Sequence, residues 1–147
     1  MKKLRLLAIL VALLAVAAGP GSAAATGTAQ DPLIGSWNVR ISIYVQEPPL
    51  QETATFTFSA DHRFTTSHTT LPGEGIWQSN GRYVFTFWIA HPHPDAANPI
   101  GTTNALHLGW VSGTRFSTTA TAYIVMLSDG SWLGPITVRT EGTRVSG

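Results

Sequence analysis

Leu33-Ile34-Gly35-Ser36-Trp37 opens the first strand pattern of the chain, and this stretch decides the fold. Glycine lets the backbone turn tightly because it carries no Cβ atom. The indole of Trp37 is large enough to close one end of a small barrel. A glycine and a tryptophan at the start of an all-β domain therefore predict a sheet closed into a barrel, and barrels of this size commonly hold one small molecule.

Residues 30–147 alternate apolar and polar side chains, with turn signals at short intervals, and this pattern predicts antiparallel strands. Asn80-Gly81 is the strongest hairpin signal, because both residues tolerate positive φ. Three prolines between residues 91 and 100 predict that this connection is the longest irregular one. The predicted strands are residues 36–46, 51–60, 63–70, 76–79, 82–90, 102–112, 115–127 and 132–145.

Eight strands joined mainly by short loops predict an all-β fold, an eight-stranded antiparallel up-and-down β-barrel. Eight twisted strands left open would expose two unpaired edges, and pairing the first strand with the last removes both. The alternative is a two-sheet β-sandwich, which would be expected to show longer crossover connections.

Residues 1–29 have the pattern of a cleaved signal peptide that precedes a single barrel domain at 30–147. Lys2, Lys3 and Arg5 come before an apolar run at 6–18, and small residues follow it. The apolar run is shorter than the ~20 residues of a transmembrane helix. Cleavage is expected after Ala25 or Ala29, with Ala29 preferred. We therefore expect a secreted, extracellular protein without an integral membrane span.

Composition narrows the classes of partner. After residue 29 the chain has six arginines, no lysine and eight carboxylates, so its net charge is near −2. No basic surface is available for nucleic acid, and that class of partner is not expected. The sequence contains no cysteine, so no disulfide supports the exported domain, and its core must supply the stability. The 118 residues from 30 to 147 are enough for one such core.

With Gly35, Trp37, eight strands and a C-terminal arginine, the chain resembles the lipocalin and calycin barrels, in particular small exported actinobacterial proteins of this type. The resemblance implies that Arg144, or alternatively Arg139, packs across the indole of Trp37 in a cation–π contact. The sequence lacks the Thr-Asp-Tyr turn and the C-terminal helix of the family. Avidins share the opening motif, but their biotin-binding polar residues are not matched here.

The ligand site is predicted at the mouth of the barrel opposite Trp37 and on the aromatic strands. His107 shares a strand face with Ala105 and Gly109, and these small neighbours leave room for a cavity. A pocket combines aromatic rings with a few polar groups. Which face of each strand points inward stays open, because a one-residue shift inverts every assignment. The predicted ligand-binding residues are Tyr83, Phe85, Phe87, His107, Tyr123, His91 and His93.

His91, His93 and Asp95 are the one sequence cluster that suggests a metal. Two histidines two residues apart with a nearby carboxylate can bind a divalent ion. The alternatives are a proline-rich loop with solvated histidines and a loop that forms part of a pocket rim. No other histidine or cysteine lies close to this cluster in the sequence, so no metal site is predicted, and no cofactor is expected.

We expect the barrel to bind a small hydrophobic or amphipathic ligand non-covalently, as a monomer or weak homodimer. No nucleophile–histidine pattern or phosphate-binding glycine loop is present, so no catalytic residue is assigned. The alternative is an allene-oxide-cyclase-like barrel enzyme, a cyclase or isomerase that acts on a small apolar substrate without metal or nucleotide cofactor. Such a site works through shape and needs no motif. A third possibility is a filled barrel that serves as an interaction module.

Overall fold

The structure, a computed structural model, describes residues 30–68 and 72–146. The predicted signal peptide lies outside the described residues, as do residues 69 and 70 at the end of the third predicted strand. The described residues form eight strands and no helix. The strands are β1 (Gly35–Tyr44), β2 (Leu50–Phe58), β3 (Arg63–Ser67), β4 (Gly73–Ser79), β5 (Val84–His93), β6 (Gly101–Ser112), β7 (Arg115–Met126) and β8 (Trp132–Arg144).

The eight strands pair antiparallel in chain order, and β1 also pairs with β8, so that the sheet closes into a barrel. Val39 of β1, for example, lies opposite Ala54 of β2 on one side and Gly142 of β8 on the other. Each strand has a neighbour on both sides, which removes the edges of the sheet. The structure confirms the predicted up-and-down barrel and excludes the β-sandwich.

The stretch at 33–37 closes one end of the barrel. Trp37 has no exposed surface, and its indole Nε1 donates a hydrogen bond of 2.9 Å to the carbonyl oxygen of Leu33. The guanidinium carbon of Arg144 lies 4.3 Å from the centroid of the indole. Arg144 also donates hydrogen bonds to the carbonyl oxygens of Ile34 and Pro32. This end is therefore sealed by packing and by hydrogen bonds to the backbone.

Aromatic side chains fill the half of the barrel next to the closed end. The ring of Phe58 lies at the centre of this packing, with five other ring centroids between 5.0 and 6.0 Å away. Most of these pairs meet edge to face, the arrangement that the quadrupoles of aromatic rings favour. The neighbours of Phe58 are Phe64, Trp77, Phe85, Phe87 and Phe116.

β5 extends further toward the opposite end than its sequence predicts. The prediction that the irregular connection begins at residue 91 is wrong, because residues 91–93 pair with Gly101–Thr103 of β6. The last β4–β5 pair is Glu74 with Ala90, so among the described residues Pro92 has a paired neighbour only in β6. A proline is tolerated where no second strand needs its missing N–H. His91 and His93 are therefore held on a strand.

The outer face of β4, β5 and β6 carries exposed apolar side chains. Cross-strand pairing brings several of them together, since Trp88 lies opposite both Ile76 and Leu106. Nothing in the described part of the chain covers this face. The described part also contains no helix of the length and apolarity that a membrane crossing requires. The exposed apolar side chains are Ile76, Val84, Trp88, Leu106, Leu108 and Trp110.

Candidate ligand-binding site

The half of the barrel opposite Trp37 encloses a cavity of about 330 Å³. Its mouth lies at the end where loops join β1 to β2, β5 to β6 and β7 to β8. The side chains that point into this half include three alanines, Ala54, Ala105 and Ala122. Their short side chains leave space empty here, whereas phenylalanines fill the corresponding space at the closed end. This volume lies at the lower end of the range of known small-molecule pockets, about 300–1,000 Å³.

The wall of the cavity is mainly apolar. Branched aliphatic side chains from four strands surround it, and Phe56 forms part of the wall next to the aromatic packing of the closed end. By contrast, the open grooves on the outside of β1, β2 and β8 are lined mainly by polar side chains such as Arg40 and Glu141. Of these three spaces, the interior of the barrel is therefore the apolar one. The aliphatic wall consists of Ile41, Ile43, Ile89, Ile124, Ile136 and Val138.

His107 is the buried imidazole of the cavity wall and is only 3% exposed. Its ring stacks on Phe87, with centroids 4.1 Å apart. Its Nδ1 lies 2.8 Å from the hydroxyl of Thr118, which lies 2.6 Å from the hydroxyl of Thr140. Burial lowers the pKa of His107 to about 3, because the charged ring would lose its hydration. His107 is therefore neutral at physiological pH.

Three more histidines and one carboxylate line the cavity near its mouth: His68, His91, His93 and Glu52. His68 Nε2 lies 3.9 Å from a carboxylate oxygen of Glu52. His91 Nδ1 lies 2.9 Å from the carbonyl oxygen of Pro92. Burial lowers the pKa of His91, although this hydrogen bond and the charge of Glu52 act in the opposite direction. The mouth thus adds polar groups to an apolar cavity.

Asp95 does not join His91 and His93 in a metal site. Its Oδ1 accepts hydrogen bonds from the backbone N–H groups of Ala97 at 2.9 Å and Asn98 at 2.8 Å, which shapes the loop after β5. Across residues 30–68 and 72–146, no three His, Cys, Asp or Glu side chains are arranged to hold a metal ion. The histidines are therefore considered as part of the cavity.

The structure brings together three of the seven residues predicted to bind a ligand, because His91, His93 and His107 all line the cavity. The other four lie elsewhere. Tyr83 precedes β5 at the closed end and is 52% exposed. Phe85 and Phe87 belong to the aromatic packing of that end. Tyr123 lies against Trp132, with ring centroids 5.7 Å apart, and does not line the cavity.

Sequence reasoning missed several polar residues of the site. Glu52 lies in β2, Thr66 lies in β3, and His68 directly follows β3. These side chains line the cavity because the barrel brings their strands opposite β5 and β6. Thr118 was missed because it acts through His107. The alanines at inward positions of β2, β6 and β7 could have indicated the cavity, because larger side chains at these positions would have filled it.

No family model matches the sequence, and no curated protein shows significant similarity to it. The closed eight-stranded antiparallel barrel is compatible with a lipocalin-like fold.

Proposed function

We propose that this protein is exported and that it binds one small hydrophobic or amphipathic molecule non-covalently inside its barrel. The observation that carries the proposal is the cavity of about 330 Å³, with an aliphatic wall, one buried imidazole and a polar mouth. Ligand sites combine apolar walls with a few polar groups that orient the ligand. The aromatic half of the barrel supplies the stability, which leaves the opposite half free to remain hollow.

The contact between Arg144 and Trp37 supports a further part of the proposal, that the barrel is a calycin. An arginine across the indole at the closed end is the arrangement that the resemblance implies, and here it lies 4.3 Å from the ring centroid. We propose a monomer or weak homodimer, since a closed barrel offers no free strand edge for pairing. Light scattering over a range of concentrations measures this state directly.

A barrel enzyme is the second candidate, because His107 places one imidazole against the cavity. A general base works best when its pKa lies near the operating pH. Burial lowers the pKa of His107 to about 3, so the ring is a weak base and suits a neutral hydrogen-bonding role. His107 is therefore better suited to binding a ligand than to general-base catalysis.

Native mass spectrometry of protein purified from its own secretion medium tests the proposal. A retained small molecule, released on unfolding, is the expected result and identifies the ligand. Binding of N-phenyl-1-naphthylamine, an uncharged dye that fluoresces in apolar surroundings, provides a second measurement. A barrel that retains nothing and leaves the dye fluorescence unchanged would contradict the proposal.

Ala122→Phe and Thr121→Phe form a matched pair for the dye experiment. Ala122 lines the cavity, whereas Thr121 is exposed on the outside of the same strand. The phenylalanine at 122 occupies cavity volume, and we expect dye affinity to fall at least about tenfold, equivalent to about 1.4 kcal/mol. Thr121→Phe should bind like the wild type. Equal binding by both folded variants would place the dye outside the cavity.

A further inference from the structure

The second ring nitrogen of His107 has no hydrogen-bond partner among the described residues. Nδ1 is engaged with Thr118, and the hydroxyl of Thr118 is in turn engaged with Thr140. In the described part of the chain, every fully enclosed side-chain nitrogen or oxygen has a partner. Since Nε2 lacks one and His107 lines the cavity, Nε2 is reached from the cavity and is available to a molecule inside it.

A hydroxyl group is the neutral partner that suits Nε2 in either state of the ring. Neutral imidazole carries one N–H donor and one acceptor nitrogen. If Nδ1 donates to Thr118, Nε2 accepts a hydrogen bond; if Thr118 donates to Nδ1, Nε2–H donates one. A hydroxyl can both donate and accept. A ketone or ether oxygen, which only accepts, suits one of the two states.

A carboxylate is a poor occupant at this position. Burial keeps the ring of His107 neutral, so it supplies no positive charge to a buried anion. The aliphatic wall offers no charge either, and the other ionisable groups of the cavity, Glu52 and three histidines, lie near its mouth. Burying an anion without a charged partner is costly. The cavity therefore disfavours ligands that carry a carboxylate at the end next to His107.

We propose that the ligand class is an uncharged, mainly aliphatic alcohol, bound with its hydroxyl against Nε2 of His107 and its apolar part along the wall toward the mouth. Thr118 and Thr140 hold the ring in position through their chain of hydrogen bonds to Nδ1. This inference rests on the proposed function, because it names the ligand of the same cavity.

Displacement of N-phenyl-1-naphthylamine at pH 7 by 1-octanol, octane and octanoate tests the proposal. The three probes share one chain length and differ only in the end group. In His107→Phe, which keeps a ring against Phe87 and removes the hydrogen bond, 1-octanol should bind about tenfold more weakly. Octane should change less than about threefold, because it makes no such bond. In the wild type, octanoate should bind more weakly than 1-octanol.

Thr119→Val is the control, because Thr119 is exposed on the outer face of β7 next to Thr118 and does not line the cavity. It should leave the difference between 1-octanol and octane unchanged. If His107→Phe does not fold, His107→Leu serves the same comparison, since leucine is smaller and also lacks a hydrogen-bonding group.

The outcomes separate the two proposals. If all probes displace the dye and His107→Phe weakens 1-octanol and octane equally, or octanoate binds as tightly as 1-octanol, the alcohol assignment is overturned and the binding function stands. If neither the dye nor any probe binds the wild type, the binding function fails, and the assignment fails with it.

Discussion

Trp37 illustrates how much of the stability of this barrel depends on one side chain. It is fully buried, it lies under the guanidinium of Arg144, and its Nε1 donates to the Leu33 carbonyl. Removing a large buried aromatic ring leaves a cavity, so Trp37→Ala should lower the free energy of unfolding by about 3–5 kcal/mol. Trp88→Ala, at a position 40% exposed, is the control and should cost much less. Urea unfolding measures both, and a loss for Trp37→Ala below about 0.5 kcal/mol would contradict its role as a plug.

Arg144 and Arg139 both lie over an aromatic ring, but in different surroundings. Arg144 is partly buried and also hydrogen-bonds two carbonyl oxygens, whereas Arg139 lies 5.3 Å from the ring of Tyr44 on the exposed outer face. Arg144→Met should lower the free energy of unfolding by about 1–3 kcal/mol, since the carbonyls lose charged donors. Arg139→Met should stay within about 0.5 kcal/mol. Equal losses in urea unfolding would show that burial at the closed end does not increase the contribution of an arginine to the free energy of unfolding.

His107 makes the stability of the protein depend on pH. Its pKa is about 3 in the folded state and 6.5 as the ordinary value. Between these values the unfolded chain binds a proton that the folded chain does not. The free energy of unfolding therefore falls as pH decreases below about 6.5, by up to about 1.4 kcal/mol per pH unit for this proton.

His107→Phe removes that contribution, so its stability should decline less between pH 7 and pH 5 than that of the wild type. Burial also lowers the pKa of His91, and this effect is common to both proteins. The difference between the two slopes in urea unfolding thus isolates His107. Identical slopes would show that His107 is not kept neutral by the fold.

At the scale of the element, β5 and β6 show what a strand pattern does and does not predict. Their existence, order and pairing follow from alternation and turn signals, and the pattern correctly groups His107 with Ala105 and Gly109. The inward face could not be chosen, because β6 is apolar on both faces, with Leu106 and Leu108 exposed outside. The end of β5 was missed because the tolerance of a proline depends on whether a second strand is present.

Gly142 of β8 leaves a space that the ring of Phe116 occupies. A Cβ atom added at Gly142 would overlap three atoms of the ring of Phe116, which is buried among the aromatic side chains of the closed end. Gly142→Ala should therefore overpack this region and lower the free energy of unfolding by about 1–3 kcal/mol. The exposed neighbour Thr143→Ala should stay within about 0.5 kcal/mol. Thermal and urea unfolding check both, and a neutral Gly142→Ala would mean that the ring of Phe116 moves freely.

At the scale of the whole molecule, the interior is divided into a filled half and a hollow half. The sequence contains the cause, since phenylalanines occupy the inward positions near one end and alanines those near the other. Their heights along the barrel depend on strand register, which only the closed sheet defines. The architecture and three histidines of the cavity could be predicted from the strand pattern. Glu52, Thr66 and His68 could not, because their positions in the cavity depend on this register.

Closure itself predicts a distinct pattern of amide hydrogen exchange. An open sheet leaves half of the amides in each edge strand without a partner, and these exchange quickly. In the closed barrel, β1 hydrogen-bonds to β2 on one side and to β8 on the other. Its amides on both sides should therefore be protected to a similar degree, and as strongly as those between β6 and β7.

Exchange followed by NMR measures this pattern residue by residue, with the loop at 45–49 as the internal control for fast exchange. The pairs between β1 and β8 join residues about 100 positions apart in sequence, such as Val39 with Gly142. Because they form only when the chain has closed, their protection reports on the complete barrel. Loop-like exchange of the β1 amides that face β8 would show that the sheet is open there, and the enclosed cavity would then lose one of its walls.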